Sequence, residues 1–383
     1  MPSCVGHALH FRFPLLVSGV VFSLLLRVFV PGPAQAADPT ADQQYWLELI
    51  NRMRLNPAAV LDRLVHFSAP GVWAPTKSDD PWVQAALDYY GTDAAALQGQ
   101  WSALSPAPAL AWNSLLSNSA TSYSDLMVQM QQQSHSLDGK TLAQRITDGG
   151  YTSQFLELGE SLFASTQNVL HGHSAFAIDW GDDDGNSANG FGTGIQTPPL
   201  HREVLMDRLF KEIGIGFQNG TVPPSNGGAP GPLVVTQHYA SQYRWTGSRY
   251  VSDAIVTGVI HLDSVVADQF YTPGEGIASA MIELWDTFTA TLVTSGLSNA
   301  AGGFNLVAQN LVQGRQYAVR ASGYEAPDVI FTAAATVYDY GAPVTIFDNA
   351  YARFTLVPEP GASFLCLSAG LYFMTSRRRR SIP

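Results

Sequence analysis

The chain of 383 residues has only two cysteines, Cys4 and Cys366, and both fall in end segments. The body therefore has neither a disulfide framework nor a thiol nucleophile. Charge is also scarce, at 13% of residues, and what there is leans acidic: 20 Lys and Arg against 31 Asp and Glu, net −11. Setting aside the six arginines of the ends (Arg12, Arg27, Arg377 to Arg380) leaves −17 for residues 37–360. A body so short of basic residues argues against nucleic acid as a partner, since phosphate binding needs clustered Lys and Arg. Several catalytic signatures are missing as well: Gly-x-Ser-x-Gly, His-Glu-x-x-His, a phosphate loop and paired-cysteine motifs. Gly190, Gly192 and Gly194 follow an acidic loop rather than a strand, which is the wrong context for a dinucleotide. No long internal repeat is present.

What is there begins with the two ends. Residues 1–36 carry His10 and Arg12, an apolar run from Phe13 to Val30, and Ala34-Gln35-Ala36, the pattern of a secretory signal with cleavage before Ala37. Residues 357–383 carry Val357-Pro358-Glu359-Pro360, an apolar run from Gly361 to Met374, and then Arg377 to Arg380. That run is shorter than the roughly 20 residues of a stable span, and the arginines place its end on the cytoplasmic side.

Between the ends the texture changes once. Residues 41–64 have helical spacing at Trp46, Leu49, Ile50 and Met53, with a restart at Asn56-Pro57. A short helix fits residues 82–90 in an otherwise proline-broken stretch from 66 to 109. Asn113 caps a stronger helix, whose stripe of Leu116, Ala120, Tyr123, Met127 and Met130 reads as core. Helical patterns follow at 142–148, 166–180 and 201–209, and strands at 213–217 and 233–239. From about Ser252 helix signals vanish. Six strand patterns (254–262, 280–285, 290–294, 303–307, 316–321, 351–356) alternate with Gly-rich turns, which predicts a small β-sandwich.

Three short signatures lie in order between Ser134 and Arg202: Ser134-His135 with Asp138-Gly139, Gly159-Glu160, and Leu200-His201-Arg202. Imidazole and carboxylate are the groups that bind a divalent metal or relay a proton, and they equally well hydrogen-bond each other and hold loops. His171 and His173 flank Gly172 two apart on a helix, a poor geometry for one shared ion, and His238 in its strand reads as a packing residue. Asp182-Asp183-Asp184-Gly185-Asn186 has the composition of a Ca²⁺ turn but reads as a solvated loop.

Residues 41–240 resemble the superfamily of cysteine-rich secretory proteins, antigen 5 and pathogenesis-related proteins, the CAP or SCP-like domain, in its bacterial, disulfide-free form. The resemblance rests on Glu48-Leu49-Ile50-Asn51-Arg52 with Arg54 and Asn56-Pro57, on Leu110-Ala111-Trp112-Asn113, Ser134-His135, Asp138-Gly139, Arg145, Gly150-Tyr151, Gly159-Glu160, His201-Arg202, Ile213-Gly214-Ile215-Gly216 and Thr236-Gln237. It implies an α-β-α sandwich whose cleft is lined by His135, Glu160, His201 and a second acid at Asp183. Ser161 replaces the usual Asn after Gly-Glu, and Leu200 stands where a Gly usually precedes the histidine. Residues 254–323 resemble immunoglobulin-like or carboxypeptidase-regulatory-like modules, through Gly258-Val259-Ile260, Tyr271-Thr272-Pro273-Gly274-Glu275-Gly276 and Gly302-Gly303-Phe304. Some relatives of these bind Ca²⁺ with an Asp-rich turn. Here Asp263, Asp268 and Glu275 remain, with Val265, Val266 and Ala267 between them, so Ca²⁺ is not expected. The tail resembles the PEP-CTERM sorting signal of Gram-negative bacteria.

The expectation is thus an α+β protein in four parts: signal peptide 1–36, CAP-like domain 37–245, Ig-like β-sandwich 252–356, and a sorting segment 357–383 with a membrane-sorting helix. The resemblances imply export, a transient inner-membrane anchor, processing by an exosortase and release to the surface or matrix. The cleft is expected to bind an extracellular lipid, glycan or protein without chemistry. The alternative is a metal-dependent hydrolase of peptide or lipid with Zn²⁺ on His135, Glu160 and His201. Whether the protein is an enzyme is left open by the sequence.

Overall fold

The computed structural model describes residues 38–183, 190–220 and 230–358, which lie within one compact unit. The expected signal peptide and most of the sorting segment lie outside the described residues. No helix among the described residues is long and apolar enough to cross a membrane.

Helix α1 (Ala41–Leu55) starts where sequence logic puts it. Thr40 and Gln43 form a reciprocal capping box, and Trp46, Leu49, Ile50 and Met53 are buried. A 3-10 turn at Pro57–Ala59 and α2 (Leu61–Leu64) extend its apolar face. The hairpin β1 (Phe67–Ala69) and β2 (Val72–Trp73) follows, then α3 (Pro81–Tyr89) and α4 (Ala94–Ser102), capped by Asp80 and Asp93. The stretch from 66 to 109 thus holds one more helix than expected.

Strand β3 (Ala111–Trp112) leads into α5 (Ser114–Met130), capped by Asn113. Leu116, Ala120, Tyr123 and Met127 are buried as expected, whereas Met130 is exposed. The helix is finished by then, with Gln131 left-handed at φ 52°. Next come α6 (Leu142–Asp148), the twelve-residue strand β4 (Phe155–Thr166), α7 (Val169–Ile178), α8 (Leu200–Met206), β5 (Glu212–Asn219) and β6 (Leu233–Gln242).

β3, β5, β6 and β4 make one sheet in that order, with β4 on an edge. Alternation decides its two faces. Ile213, Ile215, Val235 and Tyr239 enter the core shared with α1, α7 and α8. Val234 and Leu162 pack on the other face with Tyr123 and Met127 of α5. The result is the expected layering of helix, sheet and helix. Gly214 and Gly216 make it possible. A Cβ on Gly214 would lie 2.0 Å from the Ser117 nitrogen, and one on Gly216 2.2 Å from the Thr121 nitrogen. The α5 backbone therefore rests directly on β5, where Ser117 and Ser124 hydroxyls donate to the carbonyls of Ile215 and Gly216.

The β region continues without a break. Strands β7 (Arg244–Trp245), β8 (Tyr250–Ser252), β9 (Ala254–Leu262), β10 (Met281–Asp286), β11 (Thr291–Leu297), β12 (Gly303–Ala308), β13 (Gln316–Ser322), β14 (Val329–Thr332), β15 (Ala335–Asp339), β16 (Pro343–Phe347) and β17 (Ala350–Leu356) complete the chain. Sheets β11-β10-β13-β14 and β12-β9-β17 enclose a common core that includes Val256, Ile282, Val319 and Phe354. A third sheet, β15-β16-β8-β7, was not expected.

This region is bolted to the first. The Lys211 ammonium, which burial pushes down to a pKa of about 8, donates to the carbonyls of Phe347 (2.7 Å), Ser252 (3.4 Å) and Asp253. Asn349 Nδ2 donates to Ala109 O (2.9 Å) and Lys211 O (2.7 Å), and the Tyr351 hydroxyl donates to buried Glu48.

Gly216→Ala is expected to destabilise the fold by about 2 to 3 kcal/mol through overpacking against α5. Gly99→Ala, in α4 with no heavy atom within 4 Å of the added Cβ, is expected to be neutral or to stabilise by up to about 1 kcal/mol. Urea unfolding of both variants checks the contrast.

Candidate functional site

The loop after α5 brings His135 to the sheet. Tyr123 pins it on both sides: its hydroxyl donates to Ser134 O (2.6 Å) and accepts from Leu137 N (3.1 Å). The Arg145 guanidinium stacks on the Tyr123 ring, 3.5 Å from its centroid. Arg145 grips Asp138 with two nitrogens (2.8 and 2.9 Å), donates to His135 O (2.9 Å) and reaches Glu160.

Glu160 projects from β4 toward this loop. Its Oε1 accepts from His135 Nδ1 at 2.7 Å, and its Oε2 accepts from Arg145 and from His238 Nε2 at 2.9 Å. His238 sits directly opposite Glu160 in the β4–β6 ladder, so the pair is fixed by sheet register. The role of His238 differs from the packing expected of it. Burial opposes ionisation of Glu160, but hydrogen bonds from the two imidazoles and the Arg145 charge outweigh it, and its pKa falls to about 2. Burial pushes the His238 pKa down, which keeps that ring neutral, a donor through Nε2–H alone.

His201 opens α8 and belongs to a second pair. Its Nδ1 donates to Asp179 Oδ1 (2.8 Å), and the amides of His201 and Arg202 donate to Asp179 Oδ2 (2.9 and 3.2 Å). Asp179 is fully buried and left-handed, at φ 60°, at the C-cap of α7. Arg202 binds the carbonyls of Ala177 and Ile178 and the side chain of Gln100, so the Arg of this signature holds two helix ends together. A cavity of about 300 Å³ adjoins His201, walled by Tyr90, Phe163, Phe176, Trp180 and Gln196. Gln133 and Leu162, two residues from His135 and Glu160, complete its rim.

Three sequence expectations change here. Asp183, expected as the second acid, instead accepts from Thr193 N (2.7 Å) and fastens its own loop; the acid beside the second histidine is Asp179. His238 joins Glu160 unannounced. His135, Glu160 and His201 do not converge on one point. Glu160 lies on the α5 face of β4, while Phe163, which faces the opposite way, lines the cavity with His201. Among the described residues, donor atoms of three metal-capable side chains come within 4.8 Å of one another only at His261, Asp263 and Glu275 in the β region. His135, Glu160 and His201 thus do not present donor atoms within that distance of one another.

The family model for the cysteine-rich secretory protein family, CAP, matches residues 47–272. The chain belongs to the CAP family. The match runs through β9 and into the loop beyond it, past the boundary expected near residue 245. No curated protein matches the chain. Among solved structures, an outer surface protein from Borrelia burgdorferi is 20% identical over 35% of this chain and 77% of its own, with a TM-score of 0.24. An extracellular protein containing an SCP domain from Bacillus anthracis is 20% identical over 35% of this chain and 34% of its own, with a TM-score of 0.23. The shaft pilin of Lactobacillus rhamnosus is 13% identical over 28% of this chain and 52% of its own, with a TM-score of 0.20.

In this CAP protein the carboxylates set the imidazole tautomers. A carboxylate only accepts, so Nδ1 carries the proton in both His135 and His201. Each Nε2 is then left without a hydrogen-bond partner among the described residues.

The Glu160 pKa, depressed below the ordinary 4.5, means stability that is complete above about pH 4.5 and is lost as pH falls toward 2. At about 1.4 kcal/mol per pH unit, the gap to about 2 corresponds to roughly 3 kcal/mol. Glu160→Gln is expected to be less stable by that order at pH 7, with the difference shrinking toward pH 2. Chemical denaturation across that pH range measures it.

Proposed function

We propose that this CAP protein is an exported, non-enzymatic binding protein. In this reading residues 1–36 direct export, residues 357–383 anchor the chain briefly in the inner membrane until an exosortase cleaves it, and the mature protein acts at the surface or in the matrix of a Gram-negative bacterium. The β region would be an Ig-like module carried with the CAP domain. The sequence patterns of the two ends and the secretory character named in the family support this.

The observation that carries the non-enzymatic reading is the state of Glu160. Both its oxygens are taken, by two imidazoles and a guanidinium, and it ionises near pH 2. A general base works best with a pKa near the working pH, so Glu160 is a poor activator of water. Asp183 is bound to its own loop. These contacts support the binding reading over the hydrolase alternative.

The aromatic cavity beside His201 suits a ligand with an apolar face and hydroxyls at its edge. Rings of Phe163, Phe176 and Trp180 would meet the face. His201 Nε2, Gln133 and Gln196 would meet the hydroxyls. A glycan has that character, and so does the headgroup end of some lipids.

The purified chain is expected to bind members of a glycan or lipid panel saturably, with affinity reduced about tenfold, or about 1.4 kcal/mol, in His201→Ala measured at a temperature where the variant remains folded. Hydrolysis of a peptide or lipid panel that disappears in His135→Ala would sink the reading.

A further inference from the structure

The β region holds a polar cluster that the cleft does not use. β9 passes through His261, and the loop beyond it returns at Gly276, which bridges back to His261. His261 is 0% exposed, and neither ring nitrogen has a hydrogen-bond partner among the described residues. Leaving a buried polar group unpaired is unfavourable, so such a group calls for an explanation. Two carboxylates face it. Asp263 is 7% exposed and Glu275 2%, and one donor atom from each of the three residues lies within 4.8 Å of the other two. Tyr271, fully buried with its hydroxyl unpaired, stands edge-on to the His261 ring at 6.1 Å between centroids.

The backbone sets these carboxylates in advance. Glu275 Oε1 accepts from the amides of Ser264, Val265 and Val266, and Oε2 accepts from Thr272. Asp263 Oδ1 accepts from Asp268 and Gln269. Among the described residues, Asp263 Oδ2 has no hydrogen-bond partner and Glu275 Oε2 has one. Burial works against charge on Glu275, but the four amides overcome it and hold its pKa below the usual value. Burial lowers the pKa of His261; Arg353 acts in the same sense, while Glu275, Asp263 and Asp268 act against it.

We propose that His261, Asp263 and Glu275 form a binding site for a divalent transition-metal ion. The donor set of one imidazole nitrogen and two carboxylate oxygens suits Zn²⁺, Co²⁺ or Ni²⁺. It does not suit Ca²⁺, which takes six to eight oxygens, because Val265, Val266 and Ala267 supply no side-chain oxygen in the turn. The bound ion would fasten the 263–275 loop to β9. That loop carries Phe270, whose ring lies under the Arg52 guanidinium at 3.6 Å and edge-on to Tyr45 of α1. The site would therefore stiffen the seam between the β region and the first helix of the CAP fold, in a structural role.

Titration of the purified full chain with Co²⁺, followed by visible absorption and by melting temperature, tests this. We expect about one Co²⁺ per chain, a rise in melting temperature, and displacement by Zn²⁺ but not by equimolar Ca²⁺. Affinity should fall at least about tenfold in His261→Phe and in Asp263→Asn, and stay unchanged in His201→Ala. Should His261→Phe fail to fold, the imidazole nitrogen signals of His261 in the unaltered chain give the same answer, shifting when Zn²⁺ is added. Absence of uptake, uptake indifferent to both β-region substitutions, loss confined to His201→Ala, displacement by Ca²⁺, or His261 signals that do not move would each overturn the proposal.

Discussion

The candidate cleft depends on one buried guanidinium. Arg145 is 7% exposed and joins the loop after α5, the carboxylate of β4 and the ring of Tyr123. Lysine could not take its place, since only the planar fork of arginine serves Asp138 with two donors while reaching two other acceptors. Removal of such a partner leaves a buried carboxylate uncompensated, and breaking a buried pair typically destabilises by about 3 to 5 kcal/mol. Arg145 therefore holds Glu160 ionised, and an ionised Glu160 in turn fixes the tautomers of His135 and His238. Position and protonation in this half of the cleft come from the same contact.

A similar economy joins the two halves of the chain. Glu48 belongs to the Glu-Leu-Ile-Asn-Arg signature of the CAP fold, yet its carboxylate meets Gln44 of its own helix and Tyr351 of the last strand. Asn51 of the same signature ties down the backbone of Leu110 from both sides (2.9 and 2.7 Å). Arg54 binds the carbonyls of Pro108 and Leu205. Residues that mark the family thus do architectural service here. Lys211 and Asn349 add buried polar bonds across the same seam. An ammonium among three carbonyls has no good alternative in an undocked state short of rehydration, so the β region is read as part of the folded body and not as a loosely tethered bead.

How much of this was legible depended on whether the determinant was local. The cap at Asn113 and the stripe of α5 were readable because a helix start and a helix face are set within a few residues. Helix α4 was obscured by flanking prolines, though Asp93 before Ala94-Ala95-Ala96 had the right cap chemistry. Strands β14 and β15 keep half or more of their residues exposed, Ile330 and Val337 among them, so they lack the apolar alternation that marks a strand. In the site, His135 and Glu160 were found by motif, and their contact follows. His238 became a partner only through the register of β4 against β6. Asp179 was missed because it acts where the end of α7 meets the start of α8, across some twenty residues of loop. No spacing rule reports such a meeting.

The division of the cleft by β4 carries a consequence for what it can hold. The His135 side is polar and closed: the Arg145 guanidinium pairs with the carboxylates of Asp138 and Glu160, two imidazoles hydrogen-bond to Glu160, and the His135 side chain is 62% exposed. The His201 side opens on aromatic rings. β4 separates them as an edge strand, and Gln133 covers part of that edge by accepting from Ala164 N at 2.8 Å and donating to Leu162 O. Burying an edge without such a partner would leave backbone groups unsatisfied. A ligand seated against His201 therefore meets Gln133 first, and reaches His135 only by passing over the strand. An extended molecule with several contact points meets that geometry better than a single ion or a compact substrate would, because the two imidazoles offer two separate polar contacts and no shared centre.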